Sequence, residues 1–129
     1  MIKPDDMVYI CSPLSAPTKE EIQVNMERAR IYMRYVSHSF HCRAIAPHAI
    51  LPLLLDDNIP WERELGIAFG MKVLENSQVL LVCGERVSKD MEDEIIRARE
   101  LNIPVYTLLL DGNAAGLIQG VYTREETKE

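Results

Sequence analysis

The 129-residue sequence contains no apolar run approaching the roughly 20 residues that a bilayer-spanning helix requires. Its first residues, MIKPDDMVYIC, set acids ahead of a short apolar run, which is not the pattern of a secretory signal. The expectation is a soluble, cytoplasmic chain without a membrane partner. Basic residues are outnumbered: 14 Lys and Arg stand against 20 Asp and Glu, for a net charge of −6. The cations are scattered rather than banked on one segment, so duplex nucleic acid is not an expected partner. Cysteine is scarce and odd in number. Cys11, Cys42 and Cys83 lie far apart, which excludes a disulfide framework and fits a reducing compartment. Cys11 and Cys83 each end an apolar run, as buried small hydrophobes do. His38 and His41 fall near Cys42, but the spacing matches no standard zinc pattern, so neither a metal nor another cofactor is expected.

What is present is an alternation of short apolar runs with helical periodicity, without internal repeat or linker. The length suits one domain, residues 1–129, with a core over about 7–110 and a tail over about 111–129. Met7 to Cys11 reads as a strand, followed by a loop from Ser12 to Pro17. Thr18 and Glu21 have capping-box spacing, and Ile22, Met26, Ala29, Met33 and Val36 form one stripe, predicting a helix over 19–37. A short strand is expected over 43–46. Pro47, His48 and the run from Ala49 to Leu55 then lead to the loop Asp56-Asp57-Asn58. Pro60 opens a second helix, to about 74, that is apolar over much of its circumference and fits cover on two sides, by the core and by a second subunit.

Val79 to Cys83 has the composition of a buried strand, and Ser88 can cap a helix running to about 101, where Asn102 ends it. Pro104 to Leu110 is the last strong strand, with a turn at Asp111-Gly112-Asn113. Beyond it a short helix or edge strand is open, and 123–129 has the mixed charge of a frayed end. The order β-α-β-α-β-α-β predicts a doubly wound, Rossmann- or flavodoxin-like α/β fold, its mostly parallel sheet of four to five strands flanked by helices. Ligands of such sheets bind beyond the carboxyl ends of the strands, where Cys11–Pro17, Pro47–Asn58 and Gly84–Glu94 should meet.

One residue there breaks the pattern. At about 100° per residue, Met91, Ile95 and Ala98 share a face of the third helix, and Glu94 falls on its flank, while Asp93 and Glu100 point nearly opposite. A carboxylate beside apolar side chains is costly unless it is hydrogen-bonded or used. The alternative is an edge residue that snorkels to solvent or pairs with a neighbouring helix. Asn25 and Glu64 stand in similar flanking positions on the first and second helices.

The segments Tyr9-Ile10-Cys11-Ser12-Pro13 and Ser88 to Glu94, followed by Ala98 and Ile103-Pro104-Val105, resemble the nucleoside 2-deoxyribosyltransferase-like family. Asn25, Ala46-Pro47-His48 and Arg63-Glu64-Leu65-Gly66 resemble its small phage and bacterial branch, near the nucleoside 5′-monophosphate N-glycosidases. The likeness spans about residues 7–110. It implies an enzyme that cleaves the N-glycosidic bond of a nucleoside or nucleoside 5′-monophosphate, by hydrolysis or deoxyribosyl transfer, with Glu94 as nucleophile. A glutamate with its ordinary pKa of about 4.3 is ionised at neutral pH, and a carboxylate stabilises an oxocarbenium-like transition state. Asp57 and Glu64 are the candidate proton donors.

Tyr9, Ser12, Asn25, His48, Ser88 and Met91 are the implied substrate-binding residues. Each has a structural alternative: Tyr9 as a core aromatic, His48 as a packing residue, and Ser88 as a helix cap. In the family, Ser at the place of Ser88 accompanies a 5′-phosphate and Asp a free hydroxyl. Asp90, where relatives have Gly, argues the other way. The resemblance also implies homo-oligomers. A competing function is a nucleotide-binding or sensing module without turnover. A phosphorelay receiver wants an aspartate where Cys83-Gly84 stands, and a dinucleotide-binding dehydrogenase wants glycines in the loop from Ser12 to Pro17, which has none. The double-glycine phosphate loop of lysine-decarboxylase-like phosphoribohydrolases is also absent.

Overall fold

The structure, a computed structural model, describes residues 2–84, 86–112 and 118–125, with side chains described as far as Leu108. Five segments become strands: β1 (Met7–Cys11), β2 (Arg43–Ile45), β3 (Val79–Val82), β4 (Val105–Gly112) and β5 (Ile118–Glu125). They form one sheet in the order β2-β1-β3-β4-β5, parallel except for β5, which runs antiparallel to β4. The doubly wound α/β expectation holds. Between the strands lie α1 (Lys19–Phe40), α2 (Pro60–Glu75) and α3 (Lys89–Glu100). β1 and β3 are central and almost wholly buried, which is why they read as unbroken apolar runs rather than alternating ones.

Alternation within those runs sorts side chains between two cores. Val8 and Ile10 of β1, with Val79 and Leu81 of β3, pack against Ala29 and Val36 of α1. Tyr9 and Cys11, with Leu80 and Val82, face the other way, towards Leu74 of α2 and Met91 and Ala98 of α3. Strand parity therefore commits Tyr9 to the face that α3 covers. Strand order reverses between β1 and β3, so the crevice at their carboxyl ends is the expected ligand position.

Several local expectations change. Thr18 caps α1 by accepting from the Glu21 amide, but its hydroxyl donates to the Glu21 carboxylate, which replaces the reciprocal backbone contact of a capping box. α1 runs on to Phe40, three residues past the predicted end, until His41 adopts a left-handed conformation with φ 55°. The segment after β2 folds into two 3₁₀ turns, Pro47–Ala49 and Leu51–Leu53, because Pro47 and Pro52 favour tight local turns. Asp111 and Gly112 continue β4 instead of turning; Asn113 lies outside the described residues. Thr123 to Glu125, expected to fray, pair with β4 as part of β5 and satisfy an edge that would otherwise expose unpaired backbone groups; residues 126–129 lie outside the described residues. Among the described residues no helix is long and apolar enough to cross a membrane.

Candidate functional site

A cleft of about 850 Å³ opens at the carboxyl end of the sheet, on the α2–α3 side. The loop after β1, the 3₁₀ segment, the Asp56–Asn58 loop and the start of α3 all line it, as the strand-end argument predicts. The first turns of α1 and the inner face of α2 line it as well, beyond the three segments expected to meet there.

Glu94 stands in the second turn of α3, 8 % exposed, with its carboxyl group against the cleft. The Tyr9 hydroxyl donates to Glu94 Oε2 at 2.7 Å, linking β1 to α3 across the buried layer. Tyr9 is itself 1 % exposed. At Gly70 the α2 backbone comes so close to this phenol that a Cβ there would sit 3.4 Å from its oxygen. His48 Nε2 lies 3.8 Å from Glu94 Oε2, too far for a hydrogen bond and near enough to bound the same space. The other carboxyl oxygen, Oε1, is buried with no hydrogen-bond partner among the described residues.

Burial decides the charge of this group. Desolvation pushes the Glu94 carboxyl up from its ordinary value to about 7, because the apolar layer penalises the ionised form. The Tyr9 hydroxyl and the Cys11 thiol beside it pull the value back down, while Asp90 and Asp93 add to the rise. The ordinary glutamate pKa predicts full ionisation at neutral pH; in the fold, acid and carboxylate coexist there. Burial, and then the neighbouring Glu94, raise Tyr9 well above the usual phenol range, so it remains a donor. Burial lowers His48, against the opposing pull of Asp90 and Asp57, which favours the neutral imidazole.

Of the residues singled out from sequence, the fold brings Tyr9, His48, Asp57 and Glu94 to the cleft. Four others lie behind it. Asn25 Nδ2 donates to the Leu14 carbonyl at 2.9 Å and so holds the loop after β1. Met91 is in the core, its carbonyl facing the Cys11 thiol at 3.8 Å. Ser88 caps α3 by accepting from the Met91 amide at 3.3 Å. Ser12 is buried, its hydroxyl unpartnered among the described residues. Glu64 is exposed on α2 and does not line the cleft, so its flanking position faces solvent rather than a ligand. Asp93, expected to point away, does line the cleft, where it pairs with Lys89 at 2.6 Å; the cleft mouth wraps around the start of α3 further than its apolar stripe suggests. Sequence reasoning passed over Gly70, whose signal was a glycine inside a helix. It knew Arg63 only as part of a resemblance. In the fold Arg63 bridges Asp57 at 3.3 Å and Asp90 at 3.5 Å.

A family model, described as Domain of unknown function (DUF7768), matches residues 6–108. The chain belongs to that family. The match covers every element from β1 to the first half of β4, and with them the whole cleft. No curated protein matches the sequence. Among solved structures, the chain is similar to a 2-deoxyribosyltransferase from the psychrotolerant bacterium Bacillus psychrosaccharolyticus, a biocatalyst for nucleoside synthesis. The two share 11 % identity with a TM-score of 0.58, over 77 % of this chain and 69 % of the other. At that identity the similarity establishes a shared deoxyribosyltransferase-like fold, and function must be argued from the site.

Proposed function

We propose that this chain cleaves the N-glycosidic bond of a nucleoside or nucleoside 5′-monophosphate, with Glu94 as nucleophile. The observation that carries the proposal is a nearly buried carboxyl group at the strand-reversal crevice, hydrogen-bonded by Tyr9 at 2.7 Å and bordering a cleft of about 850 Å³. That volume falls in the range of small-molecule sites. A carboxylate in such a place is expensive to keep unless its charge is used.

In the first step a Glu94 oxygen bonds to C1′ as the C1′–N bond breaks, and the bonding pair leaves on the base. A proton supplied to the departing base makes it a better leaving group; Asp57 lines the cleft, but its carboxylate is paired with Arg63 at 3.3 Å, so water in the open cleft is the proposed proton source. In the second step water, or the N–H nitrogen of a second base, attacks C1′, gives up its proton to solvent, and releases Glu94 as a carboxylate. Water as acceptor makes the protein a hydrolase; a base makes it a transferase. Tyr9 stabilises the carboxylate before attack and after release by donating to Oε2. His48 bounds the nucleophile as a neutral ring. The scheme calls for neither metal nor organic cofactor.

A second copy of the chain is the proposed cover for α2. Trp61, Leu65 and Phe69 recur every four residues and are 64, 50 and 52 % exposed, a stripe of large apolar groups on the face turned away from the core.

The test is chromatography of a panel of nucleosides and 5′-monophosphates incubated with the protein, with and without an acceptor base. Free base, or exchanged nucleoside, should appear with wild type and fall by about 10³-fold or more in Glu94→Ala. Ligand binding without base release from any member, and indifferent to the Glu94 substitution, would instead make the cleft a sensing module.

A further inference from the structure

The charge around the cleft is lopsided. Asp56, Asp57, Glu62, Asp90, Asp93 and Glu94 line it, against the two cations Lys19 and Arg63. Arg63, which reaches the start of α3 through Asp90, is not free to meet an anion. Its Nη1 contacts Asp57 at 3.3 Å and its Nη2 contacts Asp90 at 3.5 Å, so both prongs of the guanidinium fork are engaged by carboxylates of the protein. The start of α3, where backbone amides and the helix dipole would attract a phosphate, already carries protein groups of its own. Asp90 sits in its first turn, and the Ser88 hydroxyl accepts from the Met91 amide. A second, independent feature marks the space as a ligand site: the buried Glu94 carboxyl group borders the cleft with Oε1 unpartnered among the described residues.

We infer that Asp90, together with Asp57, sets the ligand charge this cleft accepts, by engaging Arg63 and repelling a 5′-phosphate, so that the substrate is the uncharged nucleoside. The inference rests on the glycosidic reading above and narrows it to one of its two substrate classes. The carboxylates of Asp57 and Asp90 are 60 and 46 % exposed, so solvent screens them and each acts modestly. A phosphate dianion about 8 Å from one such charge in a water-like dielectric is disfavoured by about fivefold. Several carboxylates acting together should separate a nucleoside from its monophosphate by tenfold or more.

The experiment is calorimetric titration of the four 2′-deoxynucleosides and their 5′-monophosphates, on a Glu94→Gln background in which the sugar is not cleaved. At low salt, the nucleoside that binds should do so about tenfold or more tightly than its monophosphate, and added salt should narrow the gap. Asp90→Asn should raise monophosphate affinity about fivefold while moving nucleoside affinity less. Asp90→Ala should do the same, which guards against an effect peculiar to the amide. Equal or tighter monophosphate binding, or a substitution that moves both ligands alike, overturns the charge rule and leaves the glycosidic reading standing. Discrimination of the predicted sign without base release by the wild type sinks the enzyme reading and leaves the charge rule. Binding of neither ligand sinks both.

Discussion

Replacing Glu94 with Gln should make the protein more stable at and above neutral pH while destroying its chemistry. Glu94 is 8 % exposed, and burial raises its carboxyl pKa from 4.5 to about 7. Its folded-state value therefore lies above its unfolded one, and between pH 4.5 and 7 the folded chain holds a proton that the unfolded chain has released. Stability contributed by this group is greatest below about pH 4.5. It falls as pH rises through that window and stays at its lowest above about 7. At about 1.4 kcal/mol per pH unit, the full penalty is about 3 kcal/mol. Gln keeps an oxygen for the Tyr9 hydroxyl and carries no titrating group. Urea denaturation of wild type and variant across pH 4 to 9 should give a stability difference that is flat below pH 4.5. The difference should then grow by about 3 kcal/mol in favour of the variant by pH 7.5, and level off. Subtracting the curves removes the titration of groups the two proteins share. A constant difference, or one in which wild type gains relative to Gln as pH rises, would refute the burial argument.

Tyr9→Phe removes the donor that holds the Glu94 pKa down, so the acid limb of the kcat/KM profile, expected near pH 7, should move up by about one unit; an unmoved limb would show that the 2.7 Å contact has no electrostatic role. Gly84 adopts φ 102°, and a Cβ there would lie 3.0 Å from the Pro13 ring, so Gly84→Ala should cost roughly 1–3 kcal/mol in urea denaturation. A loss under half of the lower figure would mean that the loops after β1 and β3 adjust freely. Trp61→Glu and Phe69→Glu should convert the assembled protein to monomers in sedimentation velocity, whereas a wild type already monomeric at micromolar concentration would remove the second copy from α2.

The sheet and its helices were largely legible because β1 and β3 are unbroken apolar runs, β4 is apolar as far as Leu110 but for Thr107, and α1 and α3 carry single stripes with capping residues at their starts. Glu94 was legible for a related reason. It sits where an apolar stripe should continue, and a carboxyl group in that position demands an explanation. The fold adds the partner, Tyr9, whose orientation follows from strand parity but whose distance from Glu94 depends on how α3 lies across β1. α2 was less legible. Its apolar residues surround the helix, so periodicity could not say that Gly70 faces Tyr9 while Trp61, Leu65 and Phe69 face outwards, nor that Arg63 lines the cleft while Glu64, one residue on, does not. The raised pKa of Glu94 was not legible at all, because it depends on desolvation summed over several elements.

The central claim is that the Glu94 carboxylate attacks the sugar. Rapid quenching of the wild type with a 2′-deoxynucleoside that it cleaves, followed by peptide mapping by mass spectrometry, tests this directly. The peptide carrying Glu94 should gain the mass of a deoxyribosyl group, and Glu94→Gln should show neither that adduct nor release of free base. Base release that continues undiminished in Glu94→Gln, or a sugar adduct on a different residue, would contradict it.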